Sequence, residues 1–328
     1  MADNSRFAVI LCSHNGARFI GEQIRSILDQ AMPVTIHVHD FASRDGTRAV
    51  LDALHLQAGK RMTVTFHDQA PGAAASFLVA LRHTLQRLPD DALILFADQD
   101  DVWCPEKLVT ITREITRRGL SPAEPFLLFH DVTVVDADLT PLRPTYYTGN
   151  PFMVPRDLDR RRLMMANPAI GHTMLLSTPL ARVVAAWPDS EGYLMHDWLA
   201  ILIASRIGRI EHIPEALSLY RQHDSNVLGA YRTRSRMSSL SRLLDFVDRM
   251  TVQATRFARA IETPPRGGDA VHTTYLDRAC RHGYRTAALA LAWAATVHGP
   301  TWQRKAIGLL LFARAILGPG NNRNGATT

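Results

Sequence analysis

Segments of strand type and helix type alternate along the first half of this chain. Short apolar or alternating runs of strand length occupy residues 7–11, 34–39, 62–66 and 93–96. Between these runs, apolar residues recur at helical spacing. Such alternation predicts right-handed crossover connections and a mostly parallel sheet with helices on both faces. The sequence therefore predicts the α/β fold class.

Polar side chains follow three of the four predicted strands. Asn15 comes after the first strand, Asp40 after the second and Asp98 after the fourth. Ligands of parallel α/β sheets bind outside the carboxyl ends of the strands. We therefore expect these three side chains to meet at one ligand-binding edge of the sheet.

The segment after the fourth strand is strongly acidic, because Asp98, Asp100 and Asp101 place three carboxylates within four positions. Bunched carboxylates repel one another unless a cation neutralises them, and Mg²⁺ or Mn²⁺ prefers oxygen ligands. The alternative is a solvated turn that leads into a helix starting near Pro105. The acidic segment alone leaves both interpretations open.

The bulk composition restricts the class of protein. Of the 328 residues, 46% are apolar and 21% are charged, which is typical of a folded globular chain. The cysteines Cys12, Cys104 and Cys280 have no metal-ligand spacing, which favours a reducing compartment over a disulfide framework. No signal-peptide pattern and no uninterrupted apolar run of ~18 residues is present. We therefore expect a cytoplasmic location.

The charge is unevenly distributed. Residues 230–328 carry 15 Lys and Arg against five Asp and Glu, whereas residues 1–229 carry 22 against 26. The later segment also shows helical periodicity throughout, so we predict a first domain over 1–229 and a basic helical extension over 230–328. The extension either packs on the first domain with solvated arginines or contacts an anionic membrane surface. Nucleic-acid binding is not expected, because no recognised binding motif accompanies the charge.

Seven short segments lie in order between residues 7 and 229. They are residues 13–16, 22–30, 40–47, 98–103, 167–174, 196–198 and 220–229. As an ordered set they resemble glycosyltransferase family 2, and most closely its bacterial rhamnosyltransferase-like group. The resemblance implies the GT-A fold, a Rossmann-like sheet flanked by helices. It also implies transfer of a sugar from a nucleotide-diphosphate donor.

The resemblance assigns roles around the acidic segment. A divalent ion, Mg²⁺ or Mn²⁺, would stabilise the diphosphate leaving group as a Lewis acid. Asp98 would face this ion or the ribose, Asp100 would be the principal ligand, and His223 would approach the ion or the diphosphate. Asp101 is expected to support its neighbours or to cap the next helix. The residues expected to bind the donor are Ser13, Asn15, Asp40, Asp98 and Arg221.

The family inverts the anomeric centre in one displacement, so a carboxylate must deprotonate the acceptor hydroxyl. The matching residue is Asp197, which would otherwise be an ordinary helix-capping Asp. The residues expected on the acceptor side are His130, Asp131, Gly171, His172, Thr173 and Trp198.

One position departs from the family pattern. Members commonly carry two aspartates after the second strand, and the second one usually recognises the pyrimidine base. Here the pair is Asp40 and Phe41. A phenylalanine cannot accept a hydrogen bond from a base N–H, although it could stack on the base. The donor nucleotide therefore stays open, as do the sugar, the acceptor and the linkage.

The leading hypothesis is an inverting, metal-dependent hexosyltransferase that extends a lipid-linked surface polysaccharide at the inner face of the cytoplasmic membrane, with rhamnose as a candidate sugar. One alternative is a sugar nucleotidyltransferase, which needs a glycine-rich basic loop after the first strand, and residues 13–17 are not such a loop. Another is a catalytically silent nucleotide- or carbohydrate-binding module. Phe41 motivates that alternative, whereas Asp98, Asp100 and Asp197 argue against it.

Overall fold

A computed structural model describes most of the first 223 residues and short helical stretches after them. The described residues are 6–148, 155, 158, 160–164, 166–188, 194–223, 247–248, 250–257, 284–297, 308–312 and 315. The chain forms two compact units. The first contains residues 1–150, 168–187 and 195–231, and the second contains 151–167, 188–194 and 232–328. The domain boundary after residue 229 stays a prediction.

Strands and helices alternate in the first part of the chain, as the sequence predicts. In chain order the elements are β1 (Phe7–Ser13), α1 (Ile20–Leu28), β2 (Val34–Phe41), α2 (Thr47–Ala58), β3 (Met62–His67), α3 (Ala73–Leu85), β4 (Leu93–Ala97), β5 (Val102–Trp103), α4 (Lys107–Arg117), β6 (Phe126–Val135), β7 (Pro141–Arg143), α5 (Arg160–Leu163), β8 (Met174–Ser177), α6 (Thr178–Ala185), α7 (His196–Ile207), β9 (Arg209–Arg221) and α8 (Tyr284–Val297).

The strands form one mixed sheet in the order β3-β2-β1-β4-β8-β6-β9-β5, with β7 paired to β6. β1 pairs in parallel with β2 and β4, and β2 pairs in parallel with β3. β8 is antiparallel to both of its neighbours, β4 and β6. The α/β class is confirmed. The four strands joined through α1, α2 and α3 are parallel, and β6 also pairs in parallel with β9, whereas β5, β7 and β8 pair antiparallel with their neighbours. The sheet is therefore mixed, and most of its strands run in one direction, as expected.

The first strands are covered on both faces. Phe7 to Leu11 of β1 are all buried, which is the pattern of a central strand in an α/β sheet. On one face, Val9 and Ile36 pack with Ile24 of α1 and Leu51 of α2. This apolar layer fixes the carboxyl ends of β1, β2 and β4 next to one another.

The opposite face of β2 and β3, under α3, carries a histidine layer, which consists of His37, His39, His67 and His83. His39 shares hydrogen bonds of 3.0 Å with His67 and with the Thr84 hydroxyl. Burial is the main cause that lowers the pKa of His39 to about 3 and that of His37 to about 4. The buried rings are therefore neutral near pH 7.

The histidine layer should make the fold sensitive to acid. An unfolded histidine binds its proton near pH 6.5, whereas His39 in the fold does so only near pH 3. The unfolded state therefore binds more protons as the pH falls below 6.5. We expect each such histidine to remove about 1.4 kcal/mol of stability per pH unit until its folded pKa is reached.

Denaturant unfolding at pH 7 and pH 5 measures this loss. His39→Gln should reduce the difference in unfolding free energy by about one histidine's share. Equal stability of the native protein at both pH values would contradict the prediction.

The periodicity after residue 230 predicts an apolar stripe of one helix, made of Leu240, Leu243, Leu244, Val247, Met250, Ala254, Phe257 and Ile261. Of these, Val247, Met250, Ala254 and Phe257 are helical and buried. The other members lie outside the described residues. Large apolar side chains are exposed at Leu289, Leu309 and Phe312. Over the part of the chain that the structure describes, no helix has both the length and the apolarity needed to cross a bilayer.

Candidate functional site

The carboxyl ends of β1, β2 and β4 bring the predicted polar residues to one edge of the sheet. Ser13 of β1 is the register partner of Asp40 of β2. Leu11 of β1 is the partner of Ala97, the last residue of β4, so Asp98 leaves the sheet beside the end of β1. The strand register thus gathers Ser13, Asp40 and Asp98, as the sequence predicts.

Asp40 is completely buried and accepts hydrogen bonds from within the protein. Its Oδ1 accepts from Ser13 Oγ at 2.9 Å and from Ser43 Oγ at 2.5 Å. Its Oδ2 accepts from Ser43 N and from Arg48 Nε, each at 3.3 Å. These contacts anchor the loop that follows β2. The predicted contacts of Ser13 and Asp40 with the donor stay predictions.

The loop after β1 is held by side chains from two other loops. Asn15 has a positive φ of 51°, and its Oδ1 accepts a hydrogen bond from Arg44 N at 2.8 Å. Gln99 exchanges two hydrogen bonds with the backbone of His14, at 2.9 and 3.2 Å. A Cβ at Gly16 would lie 2.2 Å from Gln99 Oε1, so this close approach requires glycine. Gln99 thus fixes the acidic segment to the loop after β1.

Asp98 lies among other acidic groups. Its side chain keeps 39% of its surface accessible at the edge of the sheet. Burial raises its pKa to about 8, and the nearby charges of Asp100 and Asp197 add to this effect. A cation placed here would favour the ionised form.

Asp100 and His223 form a direct pair, although 123 positions separate them. His223 Nε2 lies 2.8 Å from Asp100 Oδ2, and both side chains keep some accessible surface. The His223 ring packs on the Phe19 ring, with the centroids 4.8 Å apart. The structure therefore brings together two of the three predicted metal ligands, and Asp98 lies close enough to be influenced by Asp100.

Asp101 and His172 form a second pair beneath the first. Both side chains are fully buried, and His172 Nδ1 is hydrogen-bonded to Asp101 Oδ2. Burial lowers the pKa of His172 to about 4, so the neutral ring donates this bond through Nδ1–H. The sequence predicts His172 on the acceptor side; the ring is enclosed and bonded to the acidic segment, and an acceptor contact stays a prediction. The expected roles of Asp101, to support its neighbours or to cap the next helix, also stay predictions.

Two sets of side chains offer ligands for a divalent ion. The ligand atoms of Asp98, Asp101 and His172 lie within 4.8 Å of one another. The alternative set consists of Asp98, Asp100 and His223. An ion that also holds a substrate phosphate needs an accessible coordination position. Because Asp100 and His223 keep accessible surface and the Asp101–His172 pair has none, the set of Asp98, Asp100 and His223 fits Mg²⁺ or Mn²⁺ better.

Arg221 connects distant segments at the site. Its Nε donates to the Asp100 carbonyl at 2.7 Å, and its other guanidinium nitrogens donate to Ala137 O and to Glu22 Oε2, each at 2.5 Å. Its backbone N–H donates to Asp101 Oδ1 at 3.1 Å. The sequence predicts that Arg221 binds the nucleotide-diphosphate sugar donor. The observed contacts hold the acidic segment in position, and a donor contact stays a prediction.

Lys107 is a buried cation that the sequence analysis missed. Its ammonium group donates to the His172 carbonyl at 3.2 Å and lies 3.7 Å from the centre of the Trp103 ring. Burial lowers the pKa of Lys107 well below its usual value. The cation–π contact offsets part of the cost of burying this group. A lysine four residues after an aromatic residue gives no signal of this kind in the sequence.

Asp197 lies in the first turn of α7 and is 9% exposed. Its Oδ1 accepts from Trp198 N at 2.6 Å, and its Oδ2 accepts from Gly171 N at 3.1 Å. A Cβ at Gly171 would lie 2.7 Å from His196 Nε2, so only glycine allows this approach. The two backbone donors fix the orientation of the Asp197 carboxylate.

The remaining residues predicted on the acceptor side are largely enclosed. His130, Asp131, Thr173 and Trp198 are each at most 5% exposed. Asp131 accepts hydrogen bonds from Val132 N at 2.7 Å and from Tyr146 N at 3.0 Å. His130 and Asp131 lie in β6, Trp198 lies in α7, and Thr173 ends the short 3₁₀ turn of residues 171–173. The observed bonds connect loops of the protein, and acceptor contacts stay predictions.

Sequence comparison matches the first third of the chain to a known family. Residues 8–121 match "Glycosyl transferase family 2". An uncharacterized glycosyltransferase of Nostoc sp. is 32% identical over 110 residues, which is 32% of this chain and 31% of that protein. Bacillus subtilis TuaG, named for teichuronic acid biosynthesis, is 31% identical over 102 residues, or 31% of this chain and 38% of TuaG. The chain thus matches about a third of the length of these relatives.

Solved structures show the same fold. TarS from S. aureus (residues 1–349, with UDP-GlcNAc) has a TM-score of 0.55 and 16% identity, covering 94% of this chain and 81% of that one. The mannosyltransferase PcManGT from Pyrobaculum calidifontis, with GDP-Man and Mn²⁺, has a TM-score of 0.52 and 18% identity, covering 96% and 81%. Both are GT-A glycosyltransferases, so the predicted GT-A fold is confirmed.

Proposed function

We propose that this protein is a metal-dependent glycosyltransferase that moves a sugar from a nucleotide-diphosphate donor to a saccharide acceptor with inversion. The observation that carries the proposal is the 2.8 Å pair of Asp100 and His223 beside Asp98. Asp197 lies close enough to influence Asp98 through its charge. A cation-binding group and a separate, oriented carboxylate at one sheet edge are what this transfer requires.

Three side chains would hold the cation and the donor diphosphate. Asp98, Asp100 and His223 offer two carboxylates and one imidazole, a set that suits Mn²⁺ as well as Mg²⁺. When bound, the ion stabilises the negative charge of the departing diphosphate. Arg221 contributes by holding the Asp100 backbone at 2.7 Å. Gln99 keeps the loop after β1 in contact with the same segment.

Asp197 would accept the proton of the attacking hydroxyl. Its Oδ1 accepts a backbone N–H from Trp198 and its Oδ2 accepts one from Gly171. The two backbone bonds also hold the carboxylate in a single orientation. A positioned carboxylate of this kind is the usual general base for a hydroxyl nucleophile.

The relatives suggest the class of substrate. TuaG is named for the biosynthesis of a cell-surface polysaccharide, teichuronic acid. TarS was solved with UDP-GlcNAc, and PcManGT with GDP-Man. We therefore propose a hexose as the transferred sugar and a growing surface polysaccharide as the acceptor. Rhamnose, the rhamnosyltransferase-like group and a lipid-linked acceptor stay predictions.

Contact with a membrane also stays a prediction, together with a location at its cytoplasmic face. Two features favour contact with an anionic lipid surface. Residues 230–328 have a large excess of basic residues. The described helices of that segment expose Leu289, Leu309 and Phe312.

The proposed function is tested with the full-length protein and a set of UDP-, dTDP- and GDP-sugars. With Mn²⁺ or Mg²⁺, we expect slow release of the nucleoside diphosphate even without an acceptor, and EDTA should abolish it. Release of pyrophosphate would instead support a sugar nucleotidyltransferase. Binding without turnover under all conditions would support a silent binding module. Failure to bind any nucleotide in the presence of metal would contradict the proposal.

A further inference from the structure

The carboxyl ends of β2 and β3 carry an aromatic pair, Phe41 and His67, that has no role in the proposed function described so far. Phe41 and His67 are register partners, and their rings stack with centroids 4.3 Å apart and planes 5° apart. Phe41 is 3% exposed and has no polar side-chain atom. The backbone secures the pair, because Ala42 N donates to His67 O at 2.9 Å and His14 Nδ1 donates to Phe41 O at 2.6 Å.

The His67 ring has a defined orientation. Its Nε2 shares a 3.0 Å hydrogen bond with Nδ1 of His39, which lies two residues before Phe41 and therefore farther inside the sheet. Because the two ring nitrogens point in widely different directions, Nδ1 of His67 faces the carboxyl edge. Within the described residues, this Nδ1 has no hydrogen-bond partner and is not among the enclosed polar atoms.

The hydrogen-bond chain can present either a donor or an acceptor at that edge. It runs from His67 through His39 to the Thr84 hydroxyl, which can donate or accept. If His39 Nδ1 carries the proton, His67 Nδ1–H is a donor. If His67 Nε2 carries it, His67 Nδ1 is an acceptor. Burial lowers the pKa of both rings, so the choice is between neutral tautomers.

The position suits the nucleobase of a donor. The diphosphate site lies at Asp98 and Asp100, after β4, and Asp197 lies in α7. In the sheet order β3-β2-β1-β4-β8, β1, β2 and β3 lie on one side of β4, and β8 lies on the other. Asp197 is on the β8 side, because it accepts a hydrogen bond from Gly171, which comes just before β8. With the sugar near Asp197, the nucleoside extends over β1 toward β2 and β3. There Asp40 is buried and already accepts four hydrogen bonds, which leaves it unsuited to bind a base.

We propose that His67 recognises the donor nucleobase through Nδ1, an inference that rests on the proposed function. A carboxylate at this place would accept only from a base N–H, such as N3–H of uracil. The His67–His39–Thr84 chain can also donate to an unprotonated ring nitrogen, such as N3 of cytosine. The site therefore accepts both kinds of pyrimidine edge, and its preference depends on the tautomer.

Two variants of the full-length protein test this role. His67→Phe keeps a ring on Phe41 but removes Nδ1, and we expect UDP and CDP to bind about tenfold more weakly in the presence of Mn²⁺. Pyrophosphate affinity should not change. Thr84→Val removes the hydroxyl beside His39 Nε2, which favours the proton on His39 Nδ1 and a donating His67 Nδ1–H. The ratio of CDP affinity to UDP affinity should rise.

Thr63→Val is the matched control, because Thr63 is bonded to His37 of the same layer at 3.1 Å. It should leave both affinities unchanged. In the native protein, the ¹⁵N NMR signal of His67 Nδ1 should move on addition of UDP and stay in place on addition of pyrophosphate. This signal decides the matter if His67→Phe does not fold.

Two results would overturn the inference. If native protein binds UDP and His67→Phe binds it equally well, His67 does not contact the base, although the proposed function stands. An Nδ1 signal that does not move on addition of UDP would lead to the same conclusion, that His67 does not contact the base. If the native protein binds no nucleoside diphosphate at all, the proposed function fails and this inference fails with it.

Discussion

Replacing Asp197 with Asn is expected to slow sugar transfer by about 10²–10⁴-fold and to leave donor affinity within about twofold of the native value. Asn has nearly the same shape and keeps one oxygen to accept from Trp198 N or Gly171 N, so α7 should still form. It cannot take a proton from the acceptor. Two quantities are measured for the native protein and for Asp197→Asn: the rate of sugar transfer and the dissociation constant of the nucleoside diphosphate.

The control for Asp197→Asn is Asp136→Asn, which changes a carboxylate of the turn between β6 and β7. Asp136 Oδ1 accepts from Asp138 N and Thr140 N, so its carboxylate also orients backbone N–H groups but bonds none of the proposed ligands; the one link of its turn to the site is Ala137 O, which accepts from Arg221. Transfer by this variant should be normal. A loss of donor binding in Asp197→Asn, with transfer reduced only in proportion, would remove Asp197 from the role of base.

Replacing Asp100 with Asn is expected to weaken Mn²⁺ binding by at least about 100-fold and to abolish metal-dependent donor binding. Changes next to metal ligands already cost about 10–100-fold, and Asp100 is proposed as a direct ligand. Loss of its charge should also let the pKa of Asp98 fall, because Asp100 is one cause of that raised value. Calorimetric titration with Mn²⁺ measures the first effect without relying on turnover.

A pair of histidine variants separates the two sets of metal ligands. If Asp98, Asp100 and His223 hold the ion, His223→Gln should weaken Mn²⁺ binding, whereas His172→Gln should mainly lower the melting temperature. The reverse pattern would place the ion at Asp98, Asp101 and His172. Equal Mn²⁺ affinity in both variants and the native protein would argue against either site.

Residues at strand ends were the predictable part of the site. Asn15 and Asp98 follow β1 and β4, Asp40 is the last residue but one of β2, and a parallel sheet brings such positions together whatever the details of packing. The same logic identified the α/β class. It could not identify the antiparallel placement of β8, because no crossover helix or hairpin signal in the sequence fixes the direction of that strand.

The direction of individual side chains was not predictable. In the run from Asp98 to Asp101, one carboxylate stays accessible, one pairs with His223, and one is fully buried against His172. Nothing local distinguishes them, since the partners come from 71 and 123 positions away. For the same reason the sequence does not predict that the Arg221 guanidinium donates to Glu22, Asp100 and Ala137, and its contact with the donor stays a prediction.

The contacts of Arg221 also bear on the biosynthesis of the protein. Its bonds to Glu22 and to Asp100 close loops of 199 and 121 residues. A ribosome therefore releases β1 to β4, with the acidic segment already in place, long before the arginine that steadies it. Loops of this length close slowly. The nascent chain accordingly passes through a stage in which β1 to β4 have been synthesised but Arg221 does not yet hold the acidic segment in position.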